Sequence, residues 1–170
     1  MKKAVWVLCV LALLALPALA QEKIATTWNC PKSTTMHALP VADQPGHMYA
    51  IATGKCTAAS GTIAGMPEKE GTDTEFQELM GNGYKAHGTF VEDLGGGNTL
   101  TYWWEGPGTV KDGKFVSGSN KWKITGGKGK FKGAKGMGTC TGKGNPDESA
   151  TWECTGELTM GMAPKPAAAK

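Results

Sequence analysis

The run Gly126-Gly127-Lys128-Gly129-Lys130-Phe131-Lys132-Gly133-Ala134-Lys135-Gly136, followed by Lys135 to Gly142 and by Ala150-Thr151-Trp152-Glu153-Cys154, decides the fold. Lys135, Met137, Thr139, Thr141 and Lys143 share one parity, and Gly136, Gly138, Cys140 and Gly142 share the other. That is the period of two expected of a strand with one wet and one buried face. On the next segment Cys154 keeps the parity of Trp152 and Leu158, so both cysteines are expected to point inward. Between them Asn145-Pro146-Asp147-Glu148-Ser149 has the composition of a turn, and Cys140 and Cys154 lie symmetrically about Asp147. Facing residues of an antiparallel pair lie about 5.5 Å apart or less at Cα, within disulfide reach.

Upstream the same alternation recurs. In Asn120-Lys121-Trp122-Lys123-Ile124-Thr125 the lysines take one side and the apolar residues the other. Tyr84, Ala86, Gly88 and Phe90 oppose Lys85, His87 and Thr89, Leu100, Tyr102 and Trp104 repeat the pattern, and Phe115 joins the inner set. Turn signals stand at Gly81-Asn82-Gly83, Gly95-Gly96-Gly97-Asn98, Glu105-Gly106-Pro107-Gly108, Asp112-Gly113 and Gly126-Gly127. The best helix candidate, Thr74 to Met80, is short. Seven or eight antiparallel strands fit a barrel or a sandwich, and the inward glycines favour the barrel, whose strands bend at corners. The expected fold is all-β, a single antiparallel barrel of about eight strands stapled by disulfides.

Residues 1–20 read as a signal peptide: Lys2 and Lys3, an apolar run from Val5 to Leu16, and Ala18-Leu19-Ala20 before the cut. The apolar run is shorter than the roughly 20 residues a membrane span requires, so no span is expected. Export to a periplasm or to the medium is the expectation. Residues 21–46, with Pro31, Pro40 and Pro45, read as an extended N-terminal strap, 47–162 as the barrel, and 163–170 as a disordered tail. Of the five cysteines, Cys9 lies in the signal. Cys30, Cys56, Cys140 and Cys154 remain, an even number in an exported chain. With Cys140 joined to Cys154, Cys30 falls to Cys56.

Loss of Lys2 and Lys3 leaves sixteen of eighteen lysines against fifteen acids, near neutrality. The charges are segregated: residues 111–135 hold eight lysines and one acid, Asp112, whereas 68–93 hold seven acids and two lysines. The sequence has no arginine, which removes the bidentate partner of phosphate and guanine and argues against specific nucleic-acid binding. Gly127-x-Gly129-x-x-x-Gly133 misses the dinucleotide spacing, with no helix pattern after it.

The stretch Ile124 to Gly136 resembles the Gly-Gly-Thr-Gly-x-Phe-x-x-Ala-x-Gly signature of the dirigent and allene oxide cyclase-type barrels, with Lys128 where threonine is usual. The resemblance implies an eight-stranded barrel with an apolar interior that admits a hydrophobic small molecule. No catalytic residue carries over. It is also similar to small exported bacterial proteins of this type.

The reading is therefore an exported barrel without catalysis that binds a small apolar ligand, with Tyr84, Phe90, Tyr102, Trp104, Phe115, Trp122 and Trp152 around the cavity. No cofactor and no metal are assigned. Three alternatives stand beside it: an interaction module of the envelope or secretome, an isomerase or cyclase using a buried carboxyl such as Glu92-Asp93 or Glu105, and copper binding through Met36-His37, His47-Met48 and Met160-Gly161-Met162.

Overall fold

The computed structural model describes residues 21–33 and 35–161. The expected signal peptide and tail, and Met162, lie outside them. The strands are β1 (Gln21–Cys30), β2 (Thr35–Pro40), β3 (His47–Ser60), the short β4 (Thr62–Ile63) and β5 (Met66–Pro67), β6 (Glu70–Met80), β7 (Gly83–Gly95), β8 (Asn98–Lys111), β9 (Lys114–Lys128), β10 (Lys135–Gly144) and β11 (Ala150–Thr159). Antiparallel pairing runs β1-β11-β10-β9-β8-β7-β6-β3, and a β1–β3 pairing closes these eight strands into a ring.

Three local expectations are corrected. Thr74–Met80 is no helix but the second half of β6. Glu105–Gly108 is no turn: β8 runs straight through it, with Pro107 facing Lys85 on β7 where the pairing to β9 lapses between Glu105 and Gly108. Proline has no N–H to give, so such a gap is where a strand accepts it. Gly126-Gly127 also stays in strand, and the chain turns at a 3-10 segment, Gly129–Phe131.

Of the segment 21–46 read as a strap, Gln21–Cys30 is β1, a strand of the ring, Thr35–Pro40 is β2, and 42–46 turn the chain into β3. β1 and β2 lie end to end along one edge of β3, with Thr27 opposite Ser60, Asn29 opposite Thr57, Thr35 opposite Thr53 and Pro40 opposite Met48. Beyond Cys30 the chain parts from β11 and follows β3 alone. This opens the wall at one end of the barrel, and disulfide Cys30–Cys56 ties the seam just there. The second disulfide joins Cys140 to Cys154, directly opposed on β10 and β11.

The other end is closed. The β4–β5 hairpin and the 3-10 segment fold over it, Lys130 Nζ donating to the Ala64 carbonyl and the Ala64 N–H donating to Glu22. Ile63, Leu100, Phe131 and Leu158 are fully buried there and pack with Ile24, Leu94, Ile124 and Ala134. Outside, Tyr49, Phe76, His87 and Trp103 form a ladder of neighbouring rings across β3 to β8, with Lys123 Nζ 5.1 Å from the Trp103 ring centre. All eight lysines between 111 and 135 are exposed.

Candidate functional site

The inward rings do not fill the barrel, because four of them are laid against glycines. Trp122 faces Gly138, Trp104 faces Gly88, Tyr84 faces Gly108 and Trp152 faces Gly142 across neighbouring strands. A Cβ on Gly138 would stand 2.3 Å from Trp122 Cζ2, one on Gly88 3.0 Å from Trp104 Cε2, one on Gly108 2.3 Å from Tyr84 Cζ and one on Gly142 2.7 Å from Trp152 Cδ2. The rings therefore lie flat on the wall and leave the lumen free. What remains is a cavity of about 360 Å³, within the usual range for small-molecule sites.

All seven aromatic residues expected around a cavity line this one: Tyr84, Phe90, Tyr102, Trp104, Phe115, Trp122 and Trp152. Trp28 of β1 joins them, its ring 4.8 Å from that of Phe90. Both disulfides also lie on the lining. The expected apolar interior, however, holds for only part of the wall.

On β6 the inward positions are Asp73, Glu75, Gln77 and Leu79, all on the cavity. Trp104 Nε1 donates to Asp73 Oδ1 at 2.8 Å, and Gln77 Nε2 donates to Glu75 Oε1 at 2.7 Å. At the floor the Thr26 hydroxyl donates to Glu68 at 2.5 Å, and below it the Tyr102 hydroxyl donates to the fully buried Glu92 at 2.7 Å. Burial is the main cause that raises the carboxyls: it lifts Asp73 to about 7, helped by the charge of Glu75, and also lifts Glu75. Glu68 and Glu92 are raised for the same reason, and Glu92 further by the charge of Glu68. Burial and the nearby acids also push up the Tyr84 and Tyr102 hydroxyls.

Of the carboxylates singled out in the sequence, Glu92 is buried while Asp93 and Glu105 are exposed. Glu68, Asp73 and Glu75 stand outside the sequence expectations. Their signal was the shared parity of Asp73, Glu75 and Gln77, but the rule that the apolar side faces inward points to Phe76, which lies outside.

These raised values reverse the usual acid sensitivity. Above the ordinary value of 3.8 the unfolded Asp73 loses its proton, whereas the folded one keeps it to about 7. In that window the native state binds more protons, so stability falls as pH rises. The exposed Asp43, Asp147 and Glu148 are held below their ordinary values by hydrogen bonds, and the stability they contribute is lost only as pH falls, opposite in sense to the buried carboxyls. The melting temperature is expected to be higher at pH 5 than at pH 8, and Glu92→Gln to flatten the profile. A melting temperature that rises steadily across the window contradicts this.

The mouth lies between the β8–β9 turn, the β10–β11 turn and the start of β2. There Lys32 and Lys114 both pair with Glu148, Lys114 at 3.0 Å. Among the described residues, two buried groups on the lining lack a protein hydrogen-bond partner, Trp122 Nε1 and Asn120 Oδ1. The histidines do not gather: His37 is on exposed β2, His47 pairs with Asp43 at 2.7 Å, and His87 sits in the outer ladder. Among the described residues no three His, Cys, Asp or Glu side chains converge as metal ligands, and no helix is long and apolar enough to cross a membrane.

No family model and no curated protein matches the chain. Solved structures of similar fold are found. The pterocarpan synthase dirigent protein GePTS1 aligns at a TM-score of 0.50 with 12% identity, over 84% of this chain and 89% of that one. The pterocarpan synthase dirigent protein PsPTS1 aligns at 0.50 with 12% identity, over 85% and 97%. The chain has a dirigent-like barrel fold.

Proposed function

We propose that this chain is exported, cleaved after Ala20, and holds a small, largely apolar organic molecule in the barrel without transforming it. The observation that carries the reading is the lumen left open by rings lying on glycines. A barrel this narrow is readily filled by its own side chains, yet here eight aromatic residues border one cavity of about 360 Å³. The disulfides support an oxidising compartment, and the neighbours' designation as pterocarpan synthases supports a small organic molecule as the occupant.

The test uses a variant that blocks the mouth. Ala150 stands on the lining at the inward parity of Trp152, so Ala150→Trp places an indole in the opening. 2-Naphthylmethanol is expected to quench the tryptophan emission of the natural protein and raise its melting temperature, and to lose at least about tenfold in affinity for the variant. Equal binding to both proteins places the probe elsewhere and rejects the reading. A second reading, an isomerase or cyclase, is favoured by the carboxyls on the cavity wall. Nuclear magnetic resonance of the cavity's natural occupant before and after incubation decides between holding and conversion, since an isomerisation leaves the mass unchanged.

A further inference from the structure

The cavity is chemically two-sided. Aromatic faces line β7, β8, β9 and β11, while β6 presents two carboxyls, Asp73 and Glu75, at successive inward positions. Among the described residues no cation pairs with them. Among the described residues, the lysines on the lining are Lys32, Lys55 and Lys114, all exposed; Lys32 and Lys114 are paired with Glu148 at the mouth.

We propose that the occupant carries a basic nitrogen, held as an ammonium by Asp73 and Glu75 against the aromatic wall. This rests on the cavity being a ligand site and names the class of ligand. Three features converge on it. Trp104 and Gln77 each donate one hydrogen bond to this pair, Trp104 to Asp73 and Gln77 to Glu75. Ionised carboxylates accept about four hydrogen bonds each, so most of that capacity is open to a donor from the cavity. Ring faces attract a cation through their quadrupole, more strongly when water is excluded. Finally, Trp122 lines the same cavity, is 7% exposed, and has an Nε1–H without a protein partner. It supplies a donor for an oxygen elsewhere on the same molecule.

The charge balance is explicit. In the empty cavity burial keeps Asp73 protonated to about pH 7. An ammonium that binds there favours the carboxylate, so a proton leaves Asp73 for solvent as the cation enters, and the cavity stays near neutral. The groups facing this exchange are Asp73 and Glu75 on β6, Tyr84 on β7, Tyr102 on β8, Glu68 and Glu92 at the floor, and Lys32, Lys55, Lys114 and Glu148 at the mouth. A neutral ligand of the same shape calls for no proton to leave.

The experiment compares 2-naphthylmethylamine with 2-naphthylmethanol, one charged and one neutral, by titration calorimetry at pH 6.5 in two buffers of different ionisation enthalpy. The amine is expected to bind about ten- to a hundredfold more tightly, the weight of one charge-assisted hydrogen bond, and to release a proton. The alcohol should release none. In the double variant Asp73→Asn, Glu75→Gln, which keeps an acceptor for Trp104 and Gln77, the preference and the proton release should vanish. Affinity for the alcohol should hold within about twofold, showing that the cavity is intact. Equal affinities, or a preference that survives in the double variant, overturn the ammonium and leave the cavity reading standing. Failure of both compounds to bind overturns both.

Discussion

Reduction of both disulfides is expected to lower the stability of the barrel by about 6 kcal/mol, a large part of the 5–15 kcal/mol typical of a whole domain. The bridges close segments of 26 and 14 residues. Loop entropy at those lengths gives about 3 kcal/mol for each in the chain-entropy account. The two are not equivalent in place. Cys140–Cys154 reinforces a hairpin whose strands pair along ten positions, whereas Cys30–Cys56 ties the seam where β1 and β3 share three pairs. The Cys30→Ser, Cys56→Ser variant should therefore also lose probe binding before it unfolds, and the Cys140→Ser, Cys154→Ser variant should lose stability alone. Denaturant midpoints with and without a thiol reductant measure the first effect, and calorimetry with 2-naphthylmethanol the second. Unchanged midpoints on full reduction contradict the assigned role of the bridges.

Phe131→Ala should cost about 3–5 kcal/mol, the range for truncating a fully buried aromatic residue. Phe131 has no exposed surface, and it sits in the 3-10 segment that folds over the closed end of the barrel. The chain cannot easily collapse into the space left, because a Cβ on the neighbouring Gly127 would already stand 2.3 Å from the Phe131 carbonyl oxygen. A strand-facing phenylalanine such as Phe115, partly exposed at the mouth, should cost less on the same change. Urea titration of both variants checks the order, and an equal loss at the two positions contradicts the division into a packed end and an open one.

Much of the barrel was legible because alternation survives wherever the inner face is apolar. Lys121, Trp122, Lys123 and Ile124 alternate cleanly, and the structure follows them. The pairing of Cys140 with Cys154 was readable from two cysteines of inner parity about a turn. What hid β6 was its inverted polarity: Asp73, Glu75 and Gln77 face in while Phe76 faces out, so the segment has no apolar stripe of period two. The Glu105–Gly108 and Gly126–Gly127 stretches carry turn residues within strands for a related reason. Glycine and proline mark turns through backbone freedom, but in a barrel glycine also makes room for a ring or a neighbouring strand. Gly106 lies against the backbone of β9, where a Cβ would be 1.9 Å from the Ser119 carbonyl oxygen. Local sequence does not separate the two uses, since the contact comes from a strand many residues away.

The ring order carries a consequence in time. From β3 onward each long strand pairs with the next one in the chain, so hairpin after hairpin can form from segments close together in sequence. β1 is the exception. Its long partner is β11, with Gln21 opposite Thr159. Closing so long a loop adds little to the equilibrium cost, which grows only with the logarithm of loop length, but contacts so far apart slow folding. The first strand to be synthesised must wait for the last, and until β11 arrives there is a curved sheet with an unpaired edge and no enclosed lumen.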